Sequence, residues 1–287
     1  MASTATYSIG GIALTLSGTG SLERLAALPC MKVFRTSSSP ATAVRIALDV
    51  PLPQPEMRLL HRFDLADGAK ECRFGIDADG VYHFIFGDTG LLCYNPKRPD
   101  DVSISTITDV EVLRFALWTA YAMAALRRGV VPVHASVVVC HGRAVLCLGE
   151  SGTGKSTHTS LWIKHINGSW LLNDDSPLLA VEGDEVVVYG SPWSGKTPCY
   201  RCERVPVAAL LRLEQRPANV IDRLGTVQAF AALQPSCPPA LSHDEHTMDL
   251  IVDFISQVIS RIPVHRLGCL PDADAARLSH DTIFPQP

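Results

Sequence analysis

The sequence predicts an α/β protein in two parts, a smaller mainly β N-terminal domain and a mixed-sheet α/β domain behind it. Three observations carry this. In the first half, apolar runs rich in Val, Ile, Phe and Tyr are divided by the turn sequences "DADG" and "GDTG". Near the middle stands one long helical pattern. In the second half, an apolar strand runs into "GESGTGKST" and then into a helical pattern. At 287 residues the chain has room for two domains with cores of their own.

Composition narrows the class. Hydrophobic residues make up 47% and charged residues 19%, a globular balance rather than a disordered one. The formal net charge is -4, from 25 basic and 29 acidic residues, with no block of like charges. Nucleic acid is therefore not an expected partner. Nine cysteines at irregular spacing do not read as a secreted disulfide framework, so reduced thiols and a cytoplasmic location are expected. The early apolar run "IGGIALTL" has no Lys or Arg before it and no convincing cleavage pattern after it, so no signal peptide is expected. Phe115 to Leu126 is apolar but is stopped by Arg127 and Arg128, short of the ~20 residues that span a bilayer. No membrane association is expected.

Residues 1–107 are read as the mainly β domain. "MKVF", "ATAVRIALDV" and "ECRFGIDADGVYHFIFGDTGLLCYNP" suggest strands of an antiparallel sheet, the last as a β-meander. Residues 108–129 form the linking helix. Thr108 and Glu111 have capping-box spacing, and Gly129 supplies the stop after a basic last turn. Apolar residues cover most of its circumference, which places it between the two halves.

Residues 130–287 are read as the α/β domain. "VVPVHASVVV" and "AVLCLG" are two strands joined at "CHGR", and Lys155 to His165 is a helix. "SWLLNDDSPLLAVEGDEVVVYGSPW" contains a strand, an acidic pair and two strands turned at Gly183 and Asp184. Ser242 and Glu245 have capping-box spacing ahead of the helical pattern "HTMDLIVDFISQVISRI", followed by the strand "VPVHRLGCL" and a short helix at "DADAARLSH". No internal repeat or low-complexity segment appears.

Gly149, Gly154, Lys155 and Ser156 satisfy the Walker A pattern, and its strand before and helix after are both predicted. In such a loop, glycines let backbone N–H groups turn toward phosphate oxygens at a helix N-terminus. The expected nucleotide-binding residues are Gly149, Glu150, Ser151, Gly152, Thr153, Gly154, Lys155, Ser156 and Thr157, with ATP and Mg²⁺ as cofactors. Lys155 neutralises the outer phosphates and the Ser156 hydroxyl ligates the metal.

In "LLNDDSP", two adjacent carboxylates end an apolar strand, where burial without a cation would cost several kcal/mol each. A metal nucleotide removes that objection: one Asp holds the metal while the other takes a proton from an attacking hydroxyl. A solvated turn before Pro177 is the plainer alternative. His134 lies fifteen positions before Gly149, in a strand expected to neighbour the one feeding the loop. A hydrogen-bonded core histidine is its default reading, and a contact to phosphate or metal-bound water the functional one. No Asn-Lys-x-Asp guanine-reading motif occurs, and no Glu follows the acidic pair, so transfer to a hydroxyl is favoured over hydrolysis for mechanical work.

The succession "HAS", hairpin, "GESGTGKST" and "LLNDD" resembles the HPr kinase/phosphorylase superfamily, whose nucleotide-binding domain is related to phosphoenolpyruvate carboxykinase. The resemblance covers about residues 130–200 and extends more loosely to the C-terminus. It implies a P-loop kinase acting on a serine hydroxyl, with Asp174 as base, Asp175 and Ser156 at the metal, and an electrostatic role for His134. The acceptor implied is a small protein or peptide, and the resemblance is compatible with a homo-oligomer.

The Glu-x-Arg-Gly signature of bacterial HPr kinases is absent. In its place stands "YGSPWSGKTPCYRCE", similar to a stretch of the peptide-modifying kinase relatives. Gly190, Pro192 and Gly195 there make a flexible loop that carries Lys196 as a candidate catalytic cation, with Arg201 and Arg204 nearby. A solvated basic turn is the alternative. Cys199 and Cys202 form a lone Cys-x-x-Cys without a second pair, which does not predict zinc, and "HDEH" at His243 to His246 reads as a helix start. Two further readings stay open: a carboxykinase-like or small-molecule phosphotransferase with Arg201 or Arg204 in a carboxylate pocket, and a non-catalytic nucleotide sensor.

Overall fold

The computed structural model describes residues 2–38, 43–65, 70–88, 90–195 and 197–285. The chain divides into two compact units, Met1–Arg128 and Gly129–Pro287. Among the described residues no helix is long and apolar enough to cross a membrane.

The first unit opens with a hairpin of β1 (Ser3–Ile9) and β2 (Ile12–Gly18). The apolar run "IGGIALTL" therefore straddles a tight turn, made by Gly10 and Gly11 at φ +58° and +73°. Then come α1 (Gly20–Ala27), α2 (Pro29–Val33), β3 (Arg35–Thr36), β4 (Val44–Ala47), β5 (Arg58–Leu65), β6 (Lys70–Ile76), β7 (Tyr82–Phe86), β8 (Gly90–Tyr94), β9 (Asp101–Ile104) and α3 (Val110–Leu126).

The meander is present as β6, β7 and β8. "MKVF", read as a strand, instead falls largely in α2, which begins at Pro29, where a proline costs no helix hydrogen bond. The sheet order is β3-β1-β2-β4-β9-β8-β7-β6-β5, and β4 runs parallel to both neighbours. It is thus mixed, where a purely antiparallel sheet was expected.

Helix α3 is buried from Val112 to Leu126 except at a few positions and packs on α1, β8 and β9 within this unit. Its N-cap is Asp109 rather than Thr108: the Asp109 carboxylate accepts from the Glu111 and Val112 amides at 2.9 and 3.3 Å. The Tyr121 hydroxyl donates to the Ile9 carbonyl at 3.1 Å, tying the helix to β1.

The second unit contains β10 (Val130–Pro132), β11 (Ala135–Cys140), β12 (Arg143–Leu148), α4 (Lys155–His165), β13 (Trp170–Asp175), β14 (Leu178–Glu182), β15 (Glu185–Tyr189), β16 (Arg204–Gln215), β17 (Val220–Arg223), α5 (Thr226–Leu233), α6 (Glu245–Arg261), β18 (Val264–Cys269) and α7 (Ala273–Ile283). The main sheet path is β10-β14-β15-β16-β12-β11-β13, with β18 on β16 and β17 on β18. The pairings β12–β16 and β16–β18 are parallel and the others antiparallel, which makes this sheet mixed as expected.

Two local expectations differ. "VVPVHASVVV" is not one strand, because the chain bends at Val133 and His134 between β10 and β11. Asp244, not Ser242, caps α6 by accepting from the Thr247 amide at 3.3 Å.

Helix α4 lies against β11, where the buried Ser136 and Thr159 hydroxyls are 2.9 Å apart. Its Trp162 is fully buried in a core with Val138, Val145, Leu211, Leu267 and Ala276. The Trp162 indole N–H faces His158 Nε2 and Ser279 Oγ at 3.1 and 2.9 Å, joining α4 to α7. Burial pushes the His158 pKa from 6.5 down to about 4.

The unfolded chain therefore binds a proton that the folded one refuses between those values. Stability from this group is full above pH 6.5 and falls as the pH drops toward 4. The loss should approach about 3 kcal/mol, measured by urea unfolding at stepped pH. His158→Gln, which stays neutral, is expected to flatten that dependence.

Gly190 is a close-approach glycine, since a Cβ there would lie 2.0 Å from the Arg201 carbonyl oxygen. Gly190→Ala should lower the unfolding free energy by about 1–3 kcal/mol through forced backbone displacement. The midpoint of urea unfolding checks this.

Candidate functional site

The site is built at the carboxyl ends of β12 and β13, on either side of β11. Strand β12 is buried from Ala144 to Leu148, so it delivers the glycine-rich loop from a fixed point. Gly152 and Gly154 take φ +82° and +102°, values that a side chain would strain. Thr153 folds the loop back, its amide and hydroxyl both donating to the Glu150 carbonyl at 3.3 and 2.8 Å. Gly154 is the N-cap of α4 and offers no side-chain acceptor. The first amides of the helix are therefore left without helical partners at its electropositive end.

Lys155 is buried, with its ammonium folded across its own loop, donating to the Gly149 and Glu150 carbonyls at 2.8 and 3.0 Å. Burial pushes its pKa down, against the attraction of Asp175 and Asp174. The Ser156 hydroxyl, one residue along, donates to Asp174 Oδ1 at 2.9 Å.

The acidic pair ends β13, where Asp174 and Asp175 pair with Ser136 and Ala135 of β11. Asp174 is buried, whereas Asp175 is open to solvent and has φ +132°, an uncommon value for a residue with a Cβ. The protein around the Asp175 carboxyl pushes its pKa up; His134 opposes this, Asp174 adds to it and Lys155 opposes it.

His134, at the bend before β11, is also solvent-exposed on one side. The protein on its other side pushes its pKa down and Lys155 adds to that, while Asp175 and Asp174 pull upward. It is neither in a strand nor a buried core histidine, contrary to the default reading.

Buried Asn173 anchors the segment that follows β15. Its amide nitrogen faces the Ser191 and Trp193 carbonyls at 3.4 and 3.2 Å, and its oxygen accepts from the Ser176 amide at 3.0 Å. The Gly195 amide then donates to the Asp174 carbonyl at 2.7 Å, bringing that segment onto the acidic pair. Lys196 lies outside the described residues, but Gly195 and Thr197 on either side of it line the cavity.

That cavity has a volume of about 360 Å³ and brings together His134, Lys155, Ser156, Asp174 and Asp175. Its donor set has the elements for holding an anion (helix amides and an ammonium) and an oxygen-coordinated divalent cation (a hydroxyl and two carboxylates). Ser151, Gly152, Gly154 and Thr157 line it as well, while the Glu150 side chain is 82% exposed and points to Arg212 at 3.9 Å.

Other candidates lie elsewhere. Arg204 bridges Glu182 and Glu185 at 2.9 and 2.7 Å, and Arg201 lies 5.0 Å over the Trp170 ring. Neither lines the cavity. Cys199 Sγ donates to the carbonyls of Leu171 and Leu172 at 3.5 and 3.4 Å, and among the described residues the Cys-x-x-Cys gathers no third ligating group.

Two features have no contiguous signature in the sequence. A second cavity of about 540 Å³ adjoins the other side of the loop, sharing Gly152, Gly154 and Thr157 and walled by Leu161, Leu213 and Pro271. Arg212 pairs with Leu148 across β12 and β16, and its Nη1 is buried with no hydrogen-bond partner. The cavity walls come from separate elements, so no motif announces them. Arg212 could have been sought only as a cation at the carboxyl end of a neighbouring strand.

No family model matches the chain, and no curated protein matches it. Among solved structures it is similar to the HPr(Ser) kinase/phosphatase from Coxiella burnetii, at 15% identity and a TM-score of 0.30, over 53% of this chain and 92% of that one. A similarity of this size is a distant, partial likeness to an α/β fold with mixed sheets, and to nothing finer.

Proposed function

We propose that the chain is an ATP- and Mg²⁺-dependent phosphotransferase acting on a hydroxyl, with a serine of a small protein or peptide as acceptor. One observation carries this reading: an uncapped helix N-terminus, the buried Lys155 ammonium, the Ser156 hydroxyl and two carboxylates converge on one cavity. The phosphate groups belong in that cavity, and the apolar cavity beyond Gly152 suits the nucleoside. Lys155 exchanges its two carbonyl partners for phosphate oxygens, so its charge meets the charge of the transferring group. Mg²⁺, when bound near Ser156 and the acidic pair, supplies charge neutralisation. Arg212, with an unpartnered buried N–H beside the loop, adds positive potential.

The resemblance gives the proton-accepting role to Asp174 and the metal to Asp175. One observation favours the reverse. Asp174 is the carboxylate bound to the Ser156 hydroxyl, whereas Asp175 is open to an incoming acceptor and carries the raised pKa. Both assignments keep the same reaction, in which the acceptor hydroxyl loses its proton to one carboxylate as its oxygen attacks phosphorus.

The carboxykinase-like alternative needs a cation for a small carboxylate. Arg201 and Arg204 do not provide one in this cavity, because both are engaged outside it. The test of the proposal is transfer of label from γ-labelled ATP to candidate peptides and small proteins. ATP binding without transfer to any of them, unchanged by Asp174→Asn or Asp175→Asn, would instead identify a nucleotide sensor.

A further inference from the structure

On the far end of β11 from the acidic pair, the β11–β12 turn meets helix α7. Cys140 closes β11, His141 and Gly142 form the two-residue turn, and His280 reaches it from α7. The ligating atoms of Cys140, His141 and His280 all lie within 4.8 Å of one another. The two imidazoles face each other through Nε2, 3.4 Å apart. Two nitrogens on one tetrahedral zinc ion, each at about 2.0–2.1 Å, are separated by about 3.3–3.4 Å.

The surroundings orient these groups. Asp281 Oδ1 sits 2.8 Å from His280 Nδ1, which takes the ring proton there and leaves the Nε2 lone pair pointing at the cluster. A carboxylate on the remote nitrogen is the usual support of a metal-bound imidazole. His141 holds φ +50°, where Asn, Asp or Gly is ordinarily found in a two-residue turn. Cys140 and His280 are buried while His141 is exposed, so the cluster has a dry floor and an open side.

We propose that Cys140, His141 and His280 form a zinc-type site, binding a divalent transition-metal ion through one thiolate and two imidazole nitrogens, with water in the fourth position. Binding releases the Cys140 thiol proton to solvent, and any proton on His141 Nε2 passes to its Nδ1. The two nitrogens and the sulfur displace the waters of the hydrated ion except the one kept in the fourth position, as the ion becomes four-coordinate, and no redox change occurs. The ion joins the β11–β12 turn to α7, which already meets α4 through Ser279, His158 and Trp162. Its role is to fasten the C-terminal helix, independently of phosphoryl transfer. The mixed S and N donors select zinc-type ions over Mg²⁺, which belongs with the oxygen donors of the other cavity.

The test uses the full chain, reduced and stripped with chelator, in excess Mg²⁺ so that the carboxylates are occupied. Zn²⁺ titrated against a chromophoric chelator should bind at one equivalent and raise the unfolding temperature. His141→Ala, an exposed turn substitution, should weaken binding by at least about tenfold. The Co²⁺ derivative should show a thiolate-to-cobalt charge-transfer band that disappears in Cys140→Ser and persists when Cys199 and Cys202 are both replaced by Ser. Absence of stoichiometric binding, unchanged affinity in His141→Ala, or loss of the band in the Cys199 and Cys202 variant would each overturn the site.

Discussion

Lys155→Met is expected to reduce phosphoryl transfer by at least about a hundredfold, the scale of losing one preorganised charge partner of a transition state. Lys155 is largely buried and lines the cavity, and its ammonium has only two loop carbonyls as present acceptors. Those bonds hold the charge ready at the helix N-terminus, where, under the proposed function, phosphate oxygens would displace the carbonyls because they carry full negative charge. Met matches the length of the lysine stem and keeps its packing. The folded state should therefore survive, because a buried ammonium is itself costly to desolvate. Single-turnover transfer and ATP affinity, measured beside thermal unfolding, separate the outcomes. Transfer within a few-fold of the parent in a folded Lys155→Met protein would remove the assigned cation.

Substituting the acidic pair should show which carboxylate takes the proton. Replacing the base by Asn is expected to slow transfer by about 10²–10⁴-fold while leaving Mg²⁺-dependent ATP binding nearly intact. Replacing the metal-side carboxylate should instead raise the Mg²⁺ concentration needed for half-maximal rate. The experiment compares Asp174→Asn with Asp175→Asn on both readouts. If Asp175 is the base, the acid limb of the pH–rate profile lies above the ordinary carboxylate range, because its pKa is raised and the reaction needs its ionised form. That limb should then vanish in Asp175→Asn. Equal rates in both variants and the parent would leave neither carboxylate with a chemical role.

Much of the second unit was readable from local pattern. The helix from Lys155 to His165, the strand Trp170–Asp175 and the hairpin turned at Gly183 and Asp184 all follow from periodicity and turn chemistry acting over a few residues. The first unit was less legible, since β4 looks the same in sequence whether its neighbours run parallel or antiparallel. Helix caps were misplaced by one or two residues because several polar residues precede each helix and geometry selects one. His134 looked like a strand residue among valines, yet the bend at Val133 and His134 turns it out to solvent.

The loop Gly149–Thr157, the helix it opens and the acidic pair are legible in the amino-acid order alone, because each is a contiguous run whose chemistry and backbone preferences lie within a few bonds. What those groups face is set by the folding of distant segments onto one another. Strand order set β11 between the loop and the carboxylates and brought Ser156 to Asp174; it also aligned Arg212 with the loop strand and carried His280 to Cys140 and His141. Such meetings join residues from 18 to 139 positions apart. Their distances depend on register, twist and helix packing summed over the whole unit, which no local pattern encodes.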